Sequence, residues 1–310
     1  MSLPSALEGR LSLPLIGSPM FIISQPELVI AQCRAGIVGA FPSLNARPSG
    51  VFESWLQRLG TELTAADAPF AVNLIVHKSN SRLDEDLDLC VKYQVPVIIT
   101  SLGAQERVNA AVHSYGGIVL HDVINNRFAR KAIEKGADGL IAVAAGAGGH
   151  AGTLSPFALV QEIRAWFDGP LALSGSIATG RAIAAARMMG ADLGYMGSPF
   201  IATTEANAEA GYKQMIVDSS AGDIVYSDVF TGVHGNYLRP SIVASGMDPD
   251  NLPKATDMDF ASMTGGGKKA WRDVWGCGQG IGAIDQVQPA ADFIAQLKTQ
   301  YRSAIDGFTS

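Results

Sequence analysis

The sequence predicts an α/β protein built as a closed (β/α)8 barrel. Three observations carry that prediction. Apolar runs of strand length recur eight times, each followed by a segment of helical character. The runs are continuously apolar rather than alternating, as strands are when both faces are covered. Small, polar and glycine-rich turns follow the runs, where a barrel keeps its functional loops.

The elements come in order. LPLIG, 13–17, is the first strand, with a helix near 25–34. GIVGAF, 36–41, is the second, with a helix near 50–60. PFAVNLIV, 69–76, is the third, and its helix covers 81–93, with Asp84 to Asp86 in the first turn. VPVIITS, 95–101, precedes a helix over 105–115 that Gly116 ends. GIVLHDV, 117–123, precedes one over 126–135 that Gly136 ends. The sixth strand runs from Gly139 to Ala145 and breaks into Gly146, Gly148, Gly149, His150 and Gly152 before a helix at 155–167. PLALSG, 170–175, leads to a helix near 179–190. DLGYMG, 192–197, leads to one near 200–215. There the rhythm stops. Residues 206–275 read as helices joined by Gly/Pro-rich loops, an insertion packed over the barrel mouth. Residues 276–310 return to the barrel and end in an amphipathic helix over 286–304, which leaves 1–205 as the barrel itself.

Composition narrows the function classes. A chain of 310 residues, 47% hydrophobic, buries a large core without staples. A net charge of −6 without a Lys/Arg run argues against nucleic acid. No apolar run is long enough to cross a bilayer, and the first residues lack a signal peptide's basic start and long apolar core. Cys33, Cys90 and Cys277 lie far apart and read as reduced, buried thiols of a cytoplasmic protein. No spacing suggests a metal site.

Barrel geometry gathers candidate residues at one mouth. These are Pro19 and Met20 after strand one, Asn73 at the end of strand three, and His121 and Asp122 at the end of strand five. Gly149 and His150 follow strand six, Gly175 and Ser176 strand seven, and Gly197 and Ser198 strand eight. Two adjacent Gly-Ser turns offer backbone N–H groups to a phosphate without side-chain obstruction. A flat ring attached to that phosphate would reach back toward Met20, Asn73 and His150, which is how a barrel binds FMN. His150 is the side chain there able to exchange a proton near neutral pH. Weaker candidates are His77 and His234 as solvated loop histidines, His113 as a surface residue, and Trp271 and Trp275 as lid packing. Arg239, Lys268 and Lys269 read as exposed charge.

SPM at 18–20, VNL at 72–74, AGAGGHAG at 145–152, LSGSIATG at 173–180, ADLGYMGSPFIAT at 191–203 and GCGQGIG at 276–282 resemble the nitronate monooxygenase family, formerly the 2-nitropropane dioxygenases. FMN-dependent enoyl-ACP reductases and NADH:quinone reductases are related to it. The resemblance implies a (β/α)8 barrel with a helical lid, non-covalent FMN and no metal. It implies flavin contacts at Pro19, Met20, Asn73 and Gln279, phosphate loops at Gly175, Ser176, Gly197 and Ser198, and a catalytic histidine at His150. Some members carry a lysine after strand five where this chain has Asp122, a change that bears on flavin electronics and the electron acceptor. The implied reaction is oxidation of an alkyl nitronate or nitroalkane by O2 to a carbonyl compound and nitrite, in an enzyme compatible with a homodimer. The rivals are an NAD(P)H-dependent flavin reductase of quinones or enoyl thioesters, and a flavin-free barrel that binds a phosphorylated small molecule.

Overall fold

The computed structural model describes residues 3–4, 6–48, 50–253 and 274–309. Strands and helices alternate through the first two thirds of the chain. They are β1 (Leu15–Gly17), α1 (Pro26–Arg34), β2 (Gly39–Pro42), α2 (Val51–Glu62), β3 (Phe70–Ile75), α3 (Leu83–Lys92), β4 (Val97–Ser101) and α4 (Glu106–His113). Then come β5 (Ile118–Val123), α5 (Asn126–Glu134), β6 (Gly139–Val143), the two-residue β7 (Gly149–His150) and α6 (Pro156–Arg164). The barrel ends with β8 (Leu171–Ser174), α7 (Gly180–Met188) and β9 (Leu193–Met196). Eight parallel strands run in the order β1-β9-β8-β6-β5-β4-β3-β2. A parallel bridge between Ile16 and Val38 joins the two edges, so the sheet closes into the expected barrel.

The core has the layers such a barrel requires. Ile16, Val38, Ala40, Ala71, Val97, Ile99, Leu120, Ile141, Ala172 and Leu193 fill the interior, and Leu7 of the N-terminal segment packs with them. The residues between them in sequence face outward under the helices, such as Val72, Ile98 and Val119 on one side and Leu140, Ala142 and Leu171 on the other. This two-sided burial is why the strand runs read as continuous apolar stretches. Helix punctuation follows the sequence. The Asn125 and Thr179 side chains accept N-cap bonds from Phe128 N and Ala182 N, at 3.0 and 3.1 Å. Gly116 and Gly136 take positive φ just beyond α4 and α5.

After β9 the structure departs from the sequence reading. The helix expected over 200–215 is two pieces, a single turn α8 (Ser198–Ile201) and α9 (Ala210–Asp218). The residues between are tied to other parts of the chain: Thr204 N bonds Gln288 O, and Asn207 N bonds Ile23 O. The segment expected to be helical also contains a hairpin, β10 (Ile224–Ser227) and β11 (Gly235–Leu238), followed by α10 (Arg239–Ala244). The hairpin adds antiparallel to β7, making a three-stranded sheet over the sixth barrel loop. The β-prone Ile224-Val225-Tyr226 run is its local cause. The final helix α11 spans Ala290–Thr309 and starts after Pro289, rather than at 286. It packs on α7 so closely that a Cβ on Gly180 would lie 2.1 Å from Leu297 O. No described helix is long and apolar enough to cross a membrane.

Candidate functional site

Three loops at the C-terminal ends of the strands interlock through glycine. Gly175, at φ +128, and Ser176, at φ +57, follow β8. Non-glycine residues seldom adopt that second conformation, so the turn holds local strain. Ser176 N bonds Gly146 O at 3.3 Å, and Gln279 N bonds the same carbonyl at 2.9 Å. Gly278 N bonds Ser198 Oγ at 2.8 Å. Side chains would not fit here. A Cβ on Gly278 would lie 2.5 Å from Gly146 O, and one on Gly280 2.8 Å from Ser176 O. A Cβ on Gly148 would lie 2.8 Å from Gly278 N. The cleft between these loops is lined by Gly146 to Gly148, Ser174 to Ile177, Tyr195, Gly197 to Pro199, Gly278 and Gly280. A wall made mostly of backbone admits a phosphate or a flat ring at close range.

The mouth beside this cleft carries polar side chains that replace the apolar interior. Asn73 Nδ2 donates to Ile99 O at 3.0 Å and to Ser101 Oγ at 2.7 Å. Ser101 in turn donates to Asp122 Oδ2 at 2.5 Å. Asp122 is partly exposed to the mouth, yet the surrounding protein pushes its carboxyl up to about 6. Tyr195 on β9 faces the same space, and burial raises its phenol well above the ordinary tyrosine range. Met20 lies against Gly197, its Sδ 3.4 Å from where a Cβ would stand. Asn45 shapes the loop that carries it, donating to Met20 O and Ser24 O and accepting from Ile22 N.

His150 follows Gly148 by two residues and is held by the hairpin. β7 pairs with β11, His150 opposite Gly235 and Gly149 opposite Asn236. Its Nε2 is 3.1 Å from Thr231 Oγ1, whose proton goes to Val233 O at 3.0 Å. With the Thr231 proton on Val233 O, the contact favours a hydrogen on His150 Nε2. Burial pulls His150 down to about 4, so the ring is neutral at pH 7. Asn236 donates to Ala147 O at 2.6 Å and ties the hairpin to the glycine loop.

The predicted residues Gly149, His150, Gly175, Ser176, Gly197 and Ser198 therefore stand on three adjoining loops and Gln279 on the return segment bonded to them, with Met20, Asn73 and Asp122 at the same end of the barrel. His121 does not join them. It alternates with the inward-facing Leu120 and Asp122, so it lies under the helices, bonded to Thr100 Oγ1 at 2.6 Å. Burial holds it neutral, at about 4. His77 bonds Ser79 at 2.8 Å on the surface, and His113 pairs with Asp138 at the far end of the barrel. His234 stacks on Tyr226 with Asp228 at 3.8 Å. Arg239 is committed to Asp250. Trp275 stacks on Tyr212, 4.7 Å between rings, as packing. Trp271, Lys268 and Lys269 lie outside the described residues. All three cysteines are buried, and burial pushes Cys33 up to about 12. Sequence reasoning missed Thr231, Asn236, Ser101 and Tyr195. Ser101 and Tyr195 end or nearly end strands and were within reach of the barrel rule. Thr231 and Asn236 meet the site only through the hairpin.

Comparison with known proteins places this geometry. A family profile described as nitronate monooxygenase matches residues 80–300. A nitronate monooxygenase from Paraburkholderia phytofirmans is 24% identical, over 94% of this chain and 93% of the relative. A Rhodococcus jostii relative named as a 5-hydroxy-7a-methyl-1-oxo-octahydro-indene-4-carboxyl-CoA dehydrogenase is 25% identical over 75% of this chain and 64% of its own length. Among solved structures, a nitroalkane oxidase from Streptomyces ansochromogenes shares the fold, with TM-score 0.79, 21% identity and coverage of 98% of this chain and 100% of that one.

Proposed function

The chain belongs to the nitronate monooxygenase family and is an oxidoreductase of that kind, and from this premise we propose that it holds FMN and oxidises alkyl nitronates with O2 to carbonyl compound and nitrite. The observation that carries the reading is the backbone-lined cleft at Gly146, Gly175, Gly197 and Gly278, where a Cβ on all but Gly197 would collide with neighbouring main chain or side chains. Its donor set is backbone N–H and serine hydroxyl, which suits the phosphate, and Gly149, Met20, Pro19, Asn73, Asp122 and Gln279 supply the surroundings of the ring. When bound, FMN carries electrons from the carbanion to oxygen.

The chain's own residues do the rest. The neutral His150, held on Thr231 through Nε2, is the base that would take a proton from the carbon of a neutral nitroalkane. A preformed nitronate has no such proton to lose and needs His150 only for orientation. The hairpin β10–β11 covers the sixth loop and limits water at the reacting carbon. O2 and the small-molecule substrate are the partners in this reading, in a cytoplasmic enzyme that could act as a homodimer.

Purified protein should be yellow, with one FMN per chain, and should release nitrite from propyl nitronate in air. A second reading, an NAD(P)H-dependent reductase of enoyl thioesters or quinones, is favoured by the Rhodococcus relative, whose name specifies a CoA thioester. Anaerobic NADH separates the two. Rapid bleaching of the flavin, without nitrite release in the aerobic assay, would replace the first reading by the second. A colourless protein that takes up no FMN would end both.

A further inference from the structure

We infer that Ile99 O and the Ser101–Asp122 pair together hold both amide protons of Asn73, so that Asn73 presents only a hydrogen-bond acceptor to the cofactor and Asp122 is a positioning residue for the flavin. This rests on the FMN reading above. The chain of bonds has one direction. Ile99 O can only accept, so the end of the Asn73 amide 3.0 Å away is Nδ2, whichever way the amide might otherwise be turned. The second proton of Nδ2 goes to Ser101 Oγ at 2.7 Å. Ser101 sends its own proton to Asp122 Oδ2 at 2.5 Å, a length typical of a hydroxyl bound to a charged carboxylate. Both donors of Asn73 are therefore engaged within the barrel wall. Among the described residues Oδ1 is the polar atom of Asn73 without a bond to that wall. A cofactor meeting it must bring an N–H or O–H, which FMN has in its ring imide and its ribityl hydroxyls.

Asp122 sets the polarity. As a carboxylate it can only accept, and Ser101 is forced to donate to it. Once protonated it has a hydrogen to place on Ser101 Oγ, the same oxygen that Asn73 needs as an acceptor. The two donors then compete at Ser101 Oγ, and the Asn73 bond to it weakens while Ile99 O keeps Nδ2 in place. The groups facing Asp122 do not compensate. Ser101 comes from β4, and Ile141, its register partner on β6, cannot titrate. Tyr195 on β9 stays neutral. His121 points to the opposite face of β5, and Arg127 and Arg130 of α5 are exposed outside the barrel. With the Asp122 carboxyl raised to about 6, the switch falls in a pH range where the protein can be assayed.

The test measures dissociation constants of FMN and of riboflavin, which lacks the phosphate that itself ionises at about pH 6, by quenching of flavin fluorescence between pH 5 and 8, for wild type, Asp122→Asn, Ser101→Ala and the distant surface control His113→Gln. Wild type and the control should bind riboflavin about threefold to tenfold more weakly at pH 5 than at pH 8, with a break near 6, the worth of one hydrogen bond. Asp122→Asn and Ser101→Ala should lose the break. The visible absorption band of the bound flavin should follow the same pH profile in wild type and be flat in both variants. A riboflavin affinity independent of pH in wild type, or a riboflavin break that survives in Asp122→Asn or Ser101→Ala, overturns the inference while leaving the FMN reading intact. Absence of FMN binding by wild type at any pH overturns that reading and this inference with it. If one variant does not fold, the other decides.

Discussion

The two ends of the barrel treat the same residue types differently. At the N-terminal end, Asp138 and Asp192 each stand one residue before a strand and accept a backbone N–H from the strand beside it. Asp138 takes Val119 N at 2.7 Å, and Asp192 takes Leu171 N at 2.9 Å. Each also has a basic partner, His113 at 2.9 Å and Arg164 at 2.6 Å. Arg164 is further bound to the carbonyls of Gly190 and Gly169, both at 2.7 Å. At the C-terminal end, Asp122 has a serine hydroxyl for a partner and no cation paired with it among the described residues. The loops there contain Leu102 and Ser176 at positive φ, +62 and +57. One end satisfies its charges and joins strands. The other keeps a raised carboxyl, a neutral histidine and strained turns, the marks of a surface arranged for a ligand.

Three substitutions break or sharpen this contrast. His150→Ala should have the largest effect, a loss of about 10²–10⁴ in turnover of neutral nitroalkane, with flavin content and melting temperature preserved. Steady-state assays with nitroalkane and preformed nitronate side by side would show it, and unchanged nitroalkane turnover would remove His150 from proton transfer. Arg164→Met works at the opposite end. It leaves Asp192 buried without its cation, and stability should fall by about 3 kcal/mol in urea unfolding while FMN affinity stays within about twofold. A variant that keeps its stability would deny the lower end its structural role. Gly278→Ala should be the mildest, weakening FMN by about tenfold, because its Cβ must displace Gly146 O from 2.5 Å. Equilibrium dialysis with FMN measures it, and an undiminished affinity would show that the interlock of the three loops does not shape the phosphate cleft.

Much of the architecture was legible because it repeats a local signal. Runs such as VPVIITS and PLALSG are buried on both faces, so each announces itself without knowledge of its neighbours. Gly116 and Gly136 mark helix ends by a backbone demand that acts within one turn. The Gly-Ser turns at 175–176 and 197–198 were legible for the same reason, since strand order alone puts them side by side. His121 was open in the sequence between the mouth and the barrel wall, and two-residue alternation puts it in the wall, because the strand's phase is set by Leu120 and Asp122 inside the barrel. The hairpin at 224–238 was hidden by its glycines and its shortness, and its partner strand is only Gly149 and His150, more than 80 residues earlier in sequence than the residues they pair with.

What the residues alone determined is therefore the barrel, its order of strands and the end at which chemistry gathers, because apolar periodicity and turn chemistry act over a few neighbours. Only the tertiary structure decided that His150 rests on Thr231, that Asn73 spends its amide protons on Ile99 and on the Asp122-bound Ser101, and that Gly278 locks against Gly146. Those contacts join segments 21 to 132 residues apart, and their sign depends on distances of a few ångströms that no local pattern encodes.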